Sequence, residues 1–334
     1  MKIVIFQAEE WEIDRFKDLA EDFDVEFERE ELDAENASHH SDAEIISTFI
    51  YSDLGRETLE KMPDLKLIAT RSTGYDHIDL DYCSEHGIKV ANVPSYGDTT
   101  VAEHVFGLLL TISHNIYDSV ERVMKGEFSL QGLRGFDLAG KILGVVGTGS
   151  IGRHVIRIAK GFDMQVIAYD VYPDEDFAKE MGFEYVDQPE LLRRSDIITL
   201  HVPSTQSTRH MLSENEFDKM KKGVIIINTA RGDVIDNTAF LRALAEGKIK
   251  AAGLDVLPEE PVIREEGELL RSVFRKTHDL DQILADQVLI RLRNVYITPH
   301  NAFNTDEALG EIIDTTMDNI RAFIDGSPEN IINE

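Results

Sequence analysis

Residues 142–152 constrain this chain more than any other stretch. They read ILGVVGTGSIG: five apolar residues, then Gly147, Gly149 and Gly152 in a G-x-G-x-x-G spacing. The apolar run reads as a buried strand, and from Ser150 to Lys160 the pattern is helical. A strand that turns through glycines straight into a helix opens a βα unit. Such units build parallel sheets, because a parallel neighbour is reached only by a crossover. Gly147 permits the tight turn, Gly149 lets backbone approach a pyrophosphate, and Gly152 lets helix pack on strand. The helix that begins at Ser150 offers free N–H groups and a positive dipole to phosphate. The next strand, QVIAY (165–169), ends at Asp170, eighteen residues past Gly152. A carboxylate there accepts hydrogen bonds from ribose hydroxyls and repels a 2′-phosphate. The pattern therefore predicts NAD rather than NADP.

The same alternation runs along most of the chain. KIVIF (2–6), EIIST (44–48) and KLIAT (66–70) are predicted strands, with helices over 9–21, 55–62 and 79–86. DIITLHV (196–202), GVIIIN (223–228), AAGLDV (251–256) and VYIT (295–298) continue the second series, with helices over 188–194, 213–221 and 236–246. Between the series, Asp98 to about Lys125 predicts one long helix, started at Asp98 or Thr99 and ended at Gly126. A last helix over 305–324 is expected to return to the first domain. A length of 334 residues suits two domains. The expected fold is α/β: two Rossmann-like or flavodoxin-like doubly wound parallel-sheet domains with a cleft between them. Residues 1–97 plus 300–334 are expected to form a discontinuous substrate domain, and 98–299 the NAD-binding Rossmann domain, with the cleft as the default site.

Composition excludes other classes. Asp and Glu number 63 against 34 Lys and Arg, a formal net charge of −29. This balance argues against a nucleic-acid partner or an anionic membrane surface. Residues 9–35 alone carry fourteen acids against Arg15, Lys17 and Arg29, read as a solvated acidic face. The longest run without Asp, Glu, Lys or Arg, His104–Tyr117, falls short of the roughly 20 residues that cross a bilayer. The start, MKIVIF, turns acidic at once, unlike a signal peptide. A single cysteine, Cys83, allows no internal disulfide and no cysteine-built metal site. A cytoplasmic location is expected. His278, Asp279 and Asp281 are read as part of a surface helix and loop, and no metal is predicted.

Three polar residues follow predicted strands, where open α/β sheets place ligands. They are Arg231 in NTARGD, Glu260 in LPEEP and His300 in ITPH. Their joint occurrence after the glycine turn points to one catalytic constellation.

Here the chain resembles the D-specific 2-hydroxyacid dehydrogenase family, most closely its D-lactate dehydrogenase branch. The matching stretches are RSTGYDHIDL (71–80), VPSYGDTTVAEH (93–104), GVVGTGSIG (144–152), LHVP (200–203), INTARGDVID (227–236), GLDVLPEEP (253–261) and ITPHNAF (297–303). The resemblance implies that Arg231 binds the substrate carboxylate, that His300 is the acid/base, and that Glu260 pairs with His300. It implies carboxylate binding by the backbone at Thr73 and Gly74, and a pocket formed by Tyr96, Tyr51 and Phe303. On the cofactor side it implies Ile151 at the pyrophosphate, and His201, Val202 and Pro203 beside the adenine. Thr229, Ala230 and Asp255 are implied near the nicotinamide. It further implies a small 2-ketoacid or 2-hydroxyacid substrate and a homodimer packed through the helix near 99–125. Two alternatives stay open. One is a glyoxylate, hydroxypyruvate or branched-chain 2-ketoacid reductase; the other is an NAD(H)-sensing protein like the corepressors that share this fold.

Overall fold

The computed structural model describes residues 1–258 and 287–333. The chain divides into two compact units, Met1–Tyr96 with Asn304–Glu334, and Gly97–Phe303.

The first unit holds β1 (Lys2–Ile5), β2 (Asp24–Phe27), β3 (Ile45–Thr48), β4 (Leu67–Thr70) and β5 (Lys89–Ala91). All pairings are parallel, in the order β2-β1-β3-β4-β5, the flavodoxin-like arrangement. Side chains alternate across a strand, so successive apolar residues of β1 and Phe6 after it enter two different cores. Ile3 and Ile5 join Ile45 and Leu67 against Ile313, Met317 and Ile320 of the helix Asp306–Ile324. Val4 and Phe6 join Leu54, Leu59 and Ile68 on the other face. Each such burial is worth roughly 1.5–3 kcal/mol, which ties the far end of the chain to its beginning. The tail also covers the β5 edge: Ile332 N donates to Val90 O at 2.9 Å, and Val90 N donates to Asn333 Oδ1 at 2.8 Å.

The second unit holds β6 (Ile142–Val146), β7 (Gln165–Tyr169), β8 (Glu184–Tyr185), β9 (Ile197–Leu200), β10 (Val224–Asn228), β11 (Ile249–Leu254) and β12 (Val295–Ile297). Their parallel order is β12-β11-β10-β9-β6-β7-β8. Strand order reverses between β6 and β9, the switch point at which Rossmann sheets open a crevice for dinucleotide. In β10, Val224 and Ile226 enter one core while Ile225 and Ile227 enter the other. Both faces are covered, as the unbroken apolar run requires.

Local departures from the sequence reading have physical causes. The single helix expected over 98–125 is two, Asp98–His114 and Ile116–Met124. Asn115 breaks it with φ of +50°, and its Nδ2 donates to Leu133 O at 3.2 Å. Asparagine is among the few residues that tolerate this conformation. The helix expected over 9–21 is Glu10–Arg15 and Lys17–Asp22, divided at Phe16, whose ring is fully buried. Strands β2, β5 and β8 and the helix Glu175–Met181 lie outside the pattern read from the sequence; they are short, and β2 carries charge at alternate positions.

Candidate active site

The turn after β6 is shaped by close approach. Gly147 has φ of +91°, and a Cβ there would lie 2.5 Å from His201 O. A Cβ on Gly152 would lie 2.2 Å from Gly147 O. A side chain at Gly147 would strike the backbone after β9, and one at Gly152 would push the helix off the turn. Gly149 differs, because a Cβ there would meet nothing within 4 Å. It is the N-cap of the helix Ser150–Gly161, with no capping side chain and no acid in the first turn. Open space thus lies before a bare helix N-terminus, the arrangement a pyrophosphate requires.

Asp170 closes β7 beside this turn. Its Oδ2 accepts from Thr148 N at 2.6 Å and Thr148 Oγ1 at 2.9 Å, and its Oδ1 accepts from Tyr172 N at 2.8 Å. Partial burial pushes its pKa up, but the hydrogen bonds from Tyr172 and Thr148 outweigh this and hold it below the ordinary value. The carboxylate is therefore charged and fixed in direction. His201, after β9, is half-buried behind Gly147, and loss of water around its ring lowers its pKa to about 3. Its Nε2 lies 2.9 Å from Thr199 Oγ1. The neutral ring, Val202 and Pro203 end this strand as an uncharged wall.

Asn228 closes β10 and clamps the next loop. Its Oδ1 accepts from Ala230 N at 3.0 Å and its Nδ2 donates to Arg231 O at 2.9 Å. Arg231 is half-buried, with Nη1 donating to Ala230 O at 2.8 Å. Thr229 Oγ1 is buried without a hydrogen-bond partner. Such an orphaned hydroxyl beside the switch point fits a site shaped for a polar ligand.

Asp255, after β11, is 1% exposed. Its carboxylate accepts from Asn301 N at 3.0 Å, from Ala302 N at 2.9 Å and from the Thr298 hydroxyl. His104 Nε2 approaches it to 3.5 Å and Thr298 Oγ1 to 3.0 Å. These bonds grip the chain on both sides of His300, which has φ of +53°. A histidine in this region carries strain that persists only where neighbours over-determine it. Both Asp255 oxygens are engaged by the loop, so its first effect is to place His300. Glu260 lies outside the described residues, as do His278, Asp279 and Asp281.

In the first unit the singled-out residues also sit past strand ends. Tyr51 follows β3, is exposed, and makes an edge contact with Phe49. The turn after β4 is braced: Ser72 Oγ donates to Gly74 O at 2.6 Å, Thr73 Oγ1 donates to Val93 O at 2.8 Å, and Asn92 Nδ2 donates to Thr73 O at 2.9 Å. Tyr96 lies half-buried beyond β5, and Phe303 is half-buried in the second unit beside Gly97.

Sequence reasoning passed over three supporting groups. Arg71, 1% exposed, donates from Nη2 to Phe6 O at 2.7 Å and pairs with Glu12 at 3.4 Å. It ties β1 and β4 together beneath the Ser72–Gly74 turn. His104 and Thr298 complete the Asp255 cluster. Their partners are distant in sequence, so no local spacing announces them.

Comparison with known proteins agrees with this arrangement. Residues 106–302 match the family described as D-isomer specific 2-hydroxyacid dehydrogenase, NAD binding domain. The chain is 38% identical to D-lactate dehydrogenase of Escherichia coli (strain K12) over 327 residues, 96% of each chain. It is also 38% identical to an aromatic 2-oxoacid reductase of Clostridium sporogenes, covering 97% of this chain and 96% of that protein. The solved structure of D-lactate dehydrogenase from Aquifex aeolicus, complexed with NAD and lactic acid, superposes with a TM-score of 0.88 at 37% identity and 99% coverage of both chains. The bare helix N-terminus at the switch point, the ionised Asp170 beside it and this full-length similarity lead to one conclusion: the chain belongs to the D-isomer specific 2-hydroxyacid dehydrogenase family and binds NAD.

Proposed function

We propose that this enzyme interconverts pyruvate and D-lactate: pyruvate, NADH and a proton give D-lactate and NAD. The observation that carries the reading is that the glycine turn, Arg231 and His300 all follow the carboxyl ends of strands in one sheet. Open α/β sheets bind ligands there. The relatives named D-lactate dehydrogenase, similar over nearly the full chain, support the substrate.

When bound, the nicotinamide supplies the two-electron chemistry as a hydride donor or acceptor. The protein supplies position, charge and a proton. Arg231 takes the substrate carboxylate and polarises the C2 oxygen; its planar fork suits a 2-oxo carboxylate, and its fixed charge offsets the alkoxide that develops. His300 delivers a proton to that oxygen in reduction and removes it in oxidation. Glu260 orients the imidazole and favours its protonated form. Asp255 holds the backbone around His300. Thr73 and Gly74 offer N–H groups to a carboxylate, while Tyr96, Tyr51 and Phe303 favour a small apolar C3 group. Gly147, Gly149, Ser150, Ile151 and Gly152 take the pyrophosphate, Asp170 the adenosine ribose, His201, Val202 and Pro203 the adenine, and Thr229, Ala230 and Asp255 the nicotinamide end.

A homodimer is also proposed. Ile116, Val120, Val123 and Met124 are all exposed on the helix Ile116–Met124, which buries no residue of its own, and an apolar face of this kind suits a self-complementary contact. Sedimentation at micromolar concentration should find a dimer; a monomer would contradict it. A cytoplasmic location accords with the one cysteine, which is buried, its thiol pushed up to about 12 by burial. No helix among the described residues is long and apolar enough to cross a membrane.

The aromatic 2-oxoacid reductase relative supports a second reading, a larger substrate. A panel of pyruvate, hydroxypyruvate, 2-ketoisocaproate and phenylpyruvate, each with NADH and NADPH, separates the two. Pyruvate with NADH should turn over fastest, and His300→Gln should cut that rate by about 10²–10⁴-fold. Negligible pyruvate turnover beside fast turnover of another 2-ketoacid would replace lactate. Near-wild-type turnover in His300→Gln would overturn the acid/base assignment.

A further inference from the structure

We propose that Glu26, Glu28 and His40, in the first unit, form a binding site for one divalent transition-metal ion, with Zn²⁺ as the preferred cation. The site begins in the sequence DVEFERE (24–30), where apolar and acidic residues alternate. A strand sends alternate side chains to opposite faces. Val25 and Phe27 pack into one core of the sheet, which leaves Glu26 and Glu28 together on the other side. There they meet the short helix Ala37–His40. A ring nitrogen of His40 and a carboxylate oxygen from each glutamate all lie within 4.8 Å of one another.

The second observation concerns His40 itself. The residue is 8% exposed, and its Nδ1 is buried with no hydrogen-bond partner. Native structures ordinarily satisfy such groups or leave them for a ligand. Phe6 packs edge-on against the ring, with centroids 4.9 Å apart, and fixes its position. The ring lines a cavity of about 240 Å³ shared with Phe6, Glu26, Glu28, Glu30 and His39. This space admits an ion with coordinating water. Lys2 Nζ lies 3.0 Å from Glu26 Oε2, which anchors that carboxylate.

The donor set selects the cation. Carboxylates alone would suit Mg²⁺ or Ca²⁺, whereas an imidazole shifts preference to Zn²⁺ and its neighbours. Two carboxylates offset the charge of a divalent ion. Zn–N and Zn–O bonds of about 2.0–2.2 Å place tetrahedral donors about 3.4 Å apart, so the three must draw together by up to about 1.4 Å. The bound ion would tie the edge strand β2 to the helix that follows it. The site shares no residue with the catalytic constellation.

The test titrates the full-length, chelator-stripped protein with Zn²⁺ by calorimetry. One site per chain is expected, undisturbed by equimolar Mg²⁺. Glu28→Gln and His40→Gln should each weaken it by about 100-fold or more, beyond what loss of an outer-shell partner causes. NADH-dependent 2-ketoacid turnover should be unchanged in Glu28→Gln. A chain that takes up no Zn²⁺ saturably, or one whose affinity is within about threefold of wild type in Glu28→Gln, overturns the proposal. Glu28 is only half-buried at the sheet edge, so this variant decides the matter even where His40→Gln fails to fold.

Discussion

In each unit the first strand runs toward a helix, yet the two helix N-termini are chemically opposite. After β1 the chain passes through Gln7, with φ of +55°, to a helix capped by Glu9. Its first turn carries Glu10 and Glu12, and Glu12 Oε2 accepts from Glu9 N at 2.9 Å. The protein's own carboxylates occupy the positive end of that helix. After β6 the cap is Gly149, with no side chain and no acid in the following turn. Free donors and dipole remain there for an external anion. The lesson is that a βα turn is an anion site only where the sequence declines to fill it.

The largest effect is expected from giving the second helix the first one's chemistry. Gly149→Asp places a carboxylate where a Cβ meets open space, and aspartate is a good cap. Stability should hold or rise by up to about 1 kcal/mol, while the KM for NADH rises about 10²–10³-fold from charge repulsion near 4 Å. Unchanged NADH affinity would remove the pyrophosphate from this turn.

Next in size is Asp170→Asn. Removing a charge held in place by Thr148 and Tyr172 should lower kcat/KM with NADH by about 10–100-fold, the worth of hydrogen bonds to a charged group. It should narrow the gap to NADPH. Measuring both cofactors side by side checks it.

A third test concerns pH. His201 has its pKa lowered from 6.5 to about 3 when folded. The unfolded chain takes up that proton below about 6.5 and the native one does not. This term is neutral to stability above 6.5 and destabilises as pH falls toward 3, by up to about 1.4 kcal/mol per pH unit. His201→Gln should flatten the acid limb of denaturant-derived stability in that window; a parallel limb of equal slope would assign the acid sensitivity elsewhere. His77 in the first unit, lowered to about 4 mainly by burial, contributes in the same direction.

The smallest effect belongs to the first helix. Glu9→Gln should change stability by about 0.5–1 kcal/mol and leave the KM for NADH unaltered. A change in NADH affinity would mean that this terminus, too, faces the cofactor.

Much of this was legible in the chain. The glycine turn, Asp170, Arg231 and His300 are local signals, because strand, turn and helix are each set by neighbours a few residues apart. The short strands β2, β5 and β8 were not legible, since charge on one face of an edge strand looks like loop. Nor was the break at Asn115, where a side-chain bond to Leu133 competes with an unbroken apolar pattern.

The sequence by itself determined the parallel α/β class, the glycine turn between strand and helix, and the order of the candidate catalytic residues. These rest on periodicity and on Gly147 and Gly152, where a side chain would strike backbone. Only the tertiary structure decided that Asp255 grips the loop around His300, that Arg71 braces the turn after β4, and that His40 faces Glu26 and Glu28. Each joins groups brought together by sheet order rather than by spacing along the chain. Hydrogen bonds and ion pairs act over a few ångströms in space, and a linear pattern records only the distances the backbone itself fixes.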